Sequence, residues 1–150
     1  MQHYATLDSL QALVGQDIGT SDWATISQAQ INQFAQATGD HQWIHTDPVR
    51  AAAGPFGSTV AHGFLTLSLV PMLFESAFAI ADVKMGINYG LNRVRFTAPV
   101  PAGGRVRARF LLLSFEPLPG GAQLTVQATL ELEGSAKPAC VAETVSRRYV

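Results

Sequence analysis

Between Gly63 and Ala81 the apolar residues run almost all the way round a helix: Phe64, Leu65, Leu67, Leu69, Val70, Met72, Leu73, Phe74 and Phe78. A helix with one apolar stripe can lie on a surface, but a helix that is apolar on every side has to be enclosed. The rest of the chain must therefore wrap around this segment. His62 stands at its head, and Pro71 and Glu75 interrupt it, so it reads as a core helix rather than a membrane span.

The wrapping material follows it. After Lys84 the pattern changes to period two. Ala122, Leu124, Val126, Ala128, Leu130 and Leu132 alternate with Gln123, Thr125, Gln127, Thr129, Glu131 and Glu133, which predicts a half-buried antiparallel strand. Val106–Phe115, Pro138–Tyr149 and Met85–Phe96 read as three more strands. Pro119-Gly120-Gly121 and Gly134-Ser135 supply tight turns between them. Upstream, Leu7–Val14 reads as a short amphipathic helix and Asp17–Ile26 as a first strand. Ser27 and Gln30 form a capping box. The helix it opens has Ile31, Phe34, Ala35 and Thr38 at helical spacing and ends at Gly39. Asp47-Pro48 starts a short helix over Pro48–Ala53. The sum is an α+β fold in which an antiparallel sheet curls round one long buried helix, the hot-dog architecture, as a single domain over residues 1–150.

Composition adds one constraint. Only 14% of residues are charged and 47% are hydrophobic, whereas an average soluble domain is roughly 25% charged. So little charge predicts that some apolar surface is hidden, by a homodimer, by a large apolar ligand tunnel, or by both. A net charge of −1 gives no pull toward nucleic acid or an anionic membrane. Nine of the ten Lys and Arg lie from Lys84 onward. They fit the solvated outer faces of strands, or contact with an anionic carrier such as a nucleotide phosphate. Cys140 is the one cysteine, so there is no internal disulfide, and its apolar neighbours suggest packing as a small hydrophobe. The N-terminus has no signal-peptide pattern, which makes the cytoplasm the expected address.

The chemistry concentrates in Gly39-Asp-His-Gln-Trp-Ile-His-Thr-Asp47. Asp40 and His45 follow a helix end and precede the next helix. A carboxylate and an imidazole on one short connection can move protons to and from the same substrate. The same spacing also fits an ordinary polar turn; Trp43 and Ile44, an apolar pair, favour a loop packed inward. Metal binding could draw on Asp40, His41, His45, Asp47 and His62. However, Gly39 and Pro48 bracket the cluster outside a helix, so the i, i+4 spacing of His41 and His45 loses its geometric meaning. No metal is expected. At the head of the apolar helix the Gly63 N–H could polarise a carbonyl oxygen, or the glycine could serve close packing. Ser68 is either bonded back to its own helix or offered to a ligand. There is no Gly-x-Ser-x-Gly elbow and no Gly-x-Gly-x-x-Gly, so neither a serine nucleophile nor a nucleotide cofactor is indicated, and no cofactor is expected.

Three ordered stretches carry a family resemblance. Phe34-Ala-Gln-Ala-Thr-Gly-Asp-His-Gln-Trp-Ile-His-Thr-Asp-Pro48 resembles the hydratase-2 motif of R-specific enoyl-CoA hydratases, within the MaoC-like dehydratases. Gly57-Ser-Thr-Val-Ala-His-Gly-Phe-Leu65 and Arg95-Phe-Thr-Ala-Pro-Val-Pro-Ala-Gly103 continue the match. Gln42-Trp-Ile-His45 and Asn88-Tyr-Gly-Leu-Asn92 look most like the nodulation-protein-N branch. The resemblance implies reversible hydration of a trans-2-enoyl-CoA or -ACP to a (3R)-3-hydroxyacyl thioester. It implies Asp40 and His45 as the catalytic dyad and the Gly63 amide as oxyanion donor. It further implies Ser68, Gln42, Asn88, Tyr89 and Asn92 on the substrate. One departure stands out: many members have Asn-Pro where this chain has Gln42-Trp43, so Gln42 must reach the water site with a longer arm. The rival readings are a hot-dog acyl-CoA thioesterase and a non-catalytic acyl-thioester-binding subunit.

Overall fold

The core of the molecule is one antiparallel sheet bent over a broken helix. A computed structural model describes residues 1–150. In chain order the elements are β1 (Gln2–Tyr4), a 3-10 turn (Leu7–Leu13), β2 (Asp17–Thr20), β3 (Ala24–Thr25), α1 (Gln28–Thr38), α2 (Trp43–Thr46) and α3 (Pro48–Ala52). Then follow α4 (Gly63–Ser68), α5 (Val70–Ala77), β4 (Phe78–Ile80), β5 (Met85–Phe96), β6 (Arg105–Leu118), β7 (Gly121–Leu132) and β8 (Cys140–Tyr149). The main sheet runs β2-β6-β7-β8-β5, with β3 also paired to β6.

Strand alternation decides which face meets the helix. On β7, Ala122, Leu124, Val126, Ala128 and Leu130 are all buried, as the period-two pattern predicts. Val106, Ala108, Phe110 and Leu112 of β6 join them. The outer face carries the ion pairs Arg105–Glu133 and Arg107–Glu131, so these arginines are the solvated outer residues that the sequence suggested.

The apolar segment departs from the expected single helix in two places. It breaks at Leu69 into α4 and α5, because Pro71 has no N–H to donate to the Leu67 carbonyl and the helix restarts around it. It also ends early: Phe78–Ile80 turns into β4 and pairs in parallel with β1. One flank is bare, with Phe64 71% and Met72 46% exposed. The first strand is likewise split into β2 and β3, and Leu7–Leu13 is a 3-10 turn that still buries Leu7 and Leu10. No helix is long and apolar enough to cross a membrane.

Candidate active site

The site is built where α1 ends. The Ser27 hydroxyl caps α1 by accepting the Gln30 N–H at 3.2 Å. Gly39 closes it at φ 81°, donating to the Ala35 carbonyl at 2.8 Å. A left-handed residue turns the chain sharply, and Asp40 follows at once. The Gln42 N–H donates to Asp40 Oδ1 at 3.3 Å. The connection then winds into the single turn α2, which the sequence reading treated as loop. Asp47 caps α3 through the Arg50 N–H at 3.0 Å, as the Asp-Pro pair predicts. Trp43 packs under the Arg50 guanidinium, 4.3 Å from the ring centre, and against Gly54. The apolar loop residues thus tie α2 to α3.

His45 is buried, and its Nδ1 lies 2.7 Å from the Val60 carbonyl. A carbonyl can only accept, so this contact assigns the proton to Nδ1 and leaves the lone pair on Nε2 free. Gln28 secures the arrangement from α1: its Nε2 donates to the His45 carbonyl at 2.8 Å, and its Oε1 accepts the Thr59 hydroxyl.

His62 is the residue whose part the sequence did not reveal. Its ring stacks on His45 with centres 3.8 Å apart and planes at 26°. Its Nε2 donates to the Asp40 backbone carbonyl at 2.9 Å and stands 4.0 Å from the Asp40 carboxylate. His62 therefore joins the two halves of the expected dyad, although it lies 22 residues beyond Asp40. Two signals were available: its position just before Gly63, and its place with Asp40 and His45 among the residues able to bind a metal. One donor atom each from Asp40, His45 and His62 lie within 4.8 Å of one another, a spacing that a metal ion would tolerate. His41 is exposed and outside this group. Two of the ring nitrogens, His45 Nδ1 and His62 Nε2, already face carbonyls, while His62 Nδ1 is buried without a hydrogen-bond partner.

Gly63 opens α4 immediately after His62. A Cβ on it would come within 2.9 Å of the Phe96 ring, so close packing does require glycine here. As the first helical residue it has no carbonyl one turn back to bond, and its N–H remains available to another acceptor.

Beyond α4 a cavity of about 340 Å³ opens between the helix and the β5–β8 side of the sheet. Ser68, Asn88 and Tyr89 line it, while Asn92 does not. The Ser68 hydroxyl donates to the Leu65 carbonyl at 2.7 Å, so it is bonded back to its helix while its oxygen still borders the cavity. Tyr89 carries the Arg147 guanidinium 3.6 Å over its ring. Gln42 is exposed and reaches Asp40 through its backbone, not its side chain. Cys140 is fully buried, and burial pushes its thiol up to about 11, so it is no nucleophile at neutral pH.

A curled sheet over a central helix defines a hot-dog protein, and this one gathers a carboxylate and two imidazoles at the helix head. Residues 9–132 match the MaoC like domain, and the chain belongs to that family. It is 57% identical over 148 residues to 3-hydroxyacyl-thioester dehydratase Z of Mycobacterium tuberculosis (strain ATCC 25618 / H37Rv), covering 98% of each chain. It is 47% identical over 147 residues to nodulation protein N of Rhizobium meliloti (strain 1021), covering 96% of this chain and 91% of that one. Among solved structures it is similar to an (R)-hydratase from A. caviae involved in PHA biosynthesis. That match has 26% identity and a TM-score of 0.68 over 89% of this chain and 94% of the other.

Proposed function

We propose that this chain is an (R)-specific enoyl-thioester hydratase that reversibly converts trans-2-enoyl-CoA or -ACP to the (3R)-3-hydroxyacyl thioester. The observation that carries the reading is the convergence of the Asp40 carboxyl group and the His45 imidazole, within 4.8 Å, beside the first amide of α4. Identity to a 3-hydroxyacyl-thioester dehydratase over nearly the full chain supports it.

In the hydration direction His45 Nε2 takes a proton from water as the hydroxyl oxygen bonds to the β-carbon. The double-bond electrons move toward the thioester, whose oxygen gathers negative charge opposite the Gly63 N–H. Asp40, entering as the acid, protonates the α-carbon. The net addition is one water, and the proton left on His45 returns to Asp40 through solvent, since the Asp40 side chain is 51% exposed. Dehydration is the same path reversed. The roles are matched to setting: the buried imidazole, anchored at Nδ1 by the Val60 carbonyl, keeps Nε2 for water, and the Asp40 carboxyl group stands open to solvent.

The acyl chain is assigned to the cavity lined by Ser68, Asn88 and Tyr89. Residues 1–150 act as one catalytic unit, supported by a single core cluster of 25 buried residues. The active form is proposed as a homodimer. Edge strand β5 carries exposed Met85, Ile87, Tyr89, Leu91 and Phe96, more apolar surface than a free edge tolerates, and a second copy would cover it. The proposed compartment is the cytoplasm, where a lone buried thiol needs no partner.

The test is loss of the enoyl-thioester ultraviolet band of crotonyl-CoA. Asp40→Asn and His45→Gln should each slow it by about 10²–10⁴-fold with the circular dichroism spectrum retained. Full activity in both variants would sink the dyad. A thioesterase would instead release free thiol to Ellman's reagent, an assay to which the buried Cys140 is silent in the native protein.

A further inference from the structure

Arg148 is the one arginine of β8 that points inward. On β8, Ala142, Ser146 and Arg148 pair with Ala128, Leu124 and Ala122, all on the buried face of β7. Arg147, one residue earlier, lies on the outer face and donates to Gln123. The inward guanidinium has a prepared bed. It lies over the Phe74 ring at 4.6 Å. It also occupies the space beside Gly86, where a Cβ would fall 2.1 Å from its Nη1.

What the bed lacks is an anion paired with the guanidinium. Arg148 Nε is buried without a hydrogen-bond partner, and none of the ion pairs of the molecule includes this side chain. Burial lowers its pKa, and the field of exposed Glu75 only partly offsets that. A half-buried cation with a vacant donor is costly unless an anion completes it. Arg148 borders the 340 Å³ cavity, whose other walls include Leu67, Val70 and Leu91.

We propose that Arg148 binds a carboxylate at the distal end of the acyl chain, so that the preferred substrates are thioesters of dicarboxylic acids. The inference rests on the hydratase reading and on the chain entering this cavity. Gly63 and Phe74 are eleven residues apart across α4 and α5, which at 1.5 Å per residue puts at most roughly 16 Å between them. The arginine thus lies toward the α5 end of the helical pair and Gly63 at the α4 end, so a carboxylate must be carried by a chain long enough to span between them. A guanidinium meets a carboxylate with paired, charge-assisted hydrogen bonds.

The experiment compares kcat/KM for trans-2-enoyl-CoA and ω-carboxy-trans-2-enoyl-CoA of equal length, across a length series, in the wild-type protein, Arg148→Met and Arg148→Lys. The wild-type protein should favour the carboxylated substrate by about 10–100-fold at the length that spans the cavity, and not at shorter lengths. Arg148→Met should abolish or reverse that preference, and Arg148→Lys should keep part of it. No preference at any length overturns the proposal. So does an equal loss of both substrates in Arg148→Met, which would put the arginine on the carrier or the scaffold. If the wild-type protein hydrates no enoyl-CoA, the hydratase reading has failed on its own. Calorimetric binding of saturated ω-carboxyacyl-CoA against acyl-CoA then still decides whether Arg148 selects a carboxylate.

Discussion

β5 and β7 are strands of equal length in one sheet, twelve residues each, with opposite fates. β7 is flanked by β6 and β8, and its inward residues from Ala122 to Leu130 are no more than 1% exposed. β5 is paired only to β8, and all its residues but Val94 are exposed, although it carries Ile87, Tyr89, Leu91 and Phe96. Apolar character alone therefore does not bury a strand, and neither does pairing: edge strand β2 still buries Ile18 completely, because the helices and the N-terminal segment cover that side of the sheet, whereas β5 has no such cover. β7 holds the fold together. β5, bare on one edge and bulged at two places, is left for association and for the cavity.

Three substitutions test this contrast, in falling order of their effect on stability. Leu124→Ala on β7 should cost about 2–5 kcal/mol, the range for emptying a well-packed core site, read as a lower midpoint in urea unfolding. A loss under ~1 kcal/mol would mean that β7 is not the keystone.

Cys140 tests the seam between the two regions, since it pairs with Leu130 of β7 on one side and Phe96 of β5 on the other. Burial raises its folded pKa from 9.0 to about 11. The unfolded thiol ionises first, so the contribution is intact below pH 9 and lost progressively up to about pH 11. The loss should reach roughly 2–3 kcal/mol. Cys140→Ala should flatten that alkaline decline in a pH series of unfolding curves. An unchanged slope would show that other groups govern it.

Ile87→Lys on β5 should leave the folding stability within about 0.5 kcal/mol while placing a charge on the open edge. Light scattering should then report the monomer mass where the parent chain is a dimer. A variant that remains dimeric would move the interface away from β5.

The legible parts of the fold were those governed by local spacing. The β7 alternation, the Ser27 cap, the Gly39 stop and the Asp47-Pro48 start each depend on residues within a turn or two, and all are present. The break at Leu69 was legible in principle, because Pro71 stands two residues on, but the continuous apolar run obscured it. Arg148 was legible too: it keeps the parity of the inward residues Ala142 and Ser146, yet the charge of the C-terminal arginines suggested an outer face. In the site, the spacing of Asp40 and His45 fitted a polar turn as well as a dyad and the family resemblance singled them out, while the His45–His62 stack was not legible at all.

By itself the sequence determined the main units: the long strands and their apolar faces, the capped helix α1, and the stretch where Asp40 and His45 gather. Those are consequences of backbone periodicity and capping, which act over a few residues. Only the tertiary structure decided which faces meet. It set His62 against His45, left β5 at the edge, and opened a cavity beside Arg148, whose Nε has no partner. These outcomes come from strand order and from the path of α4 across the sheet. They join residues far apart in the chain through packing, which no local pattern encodes.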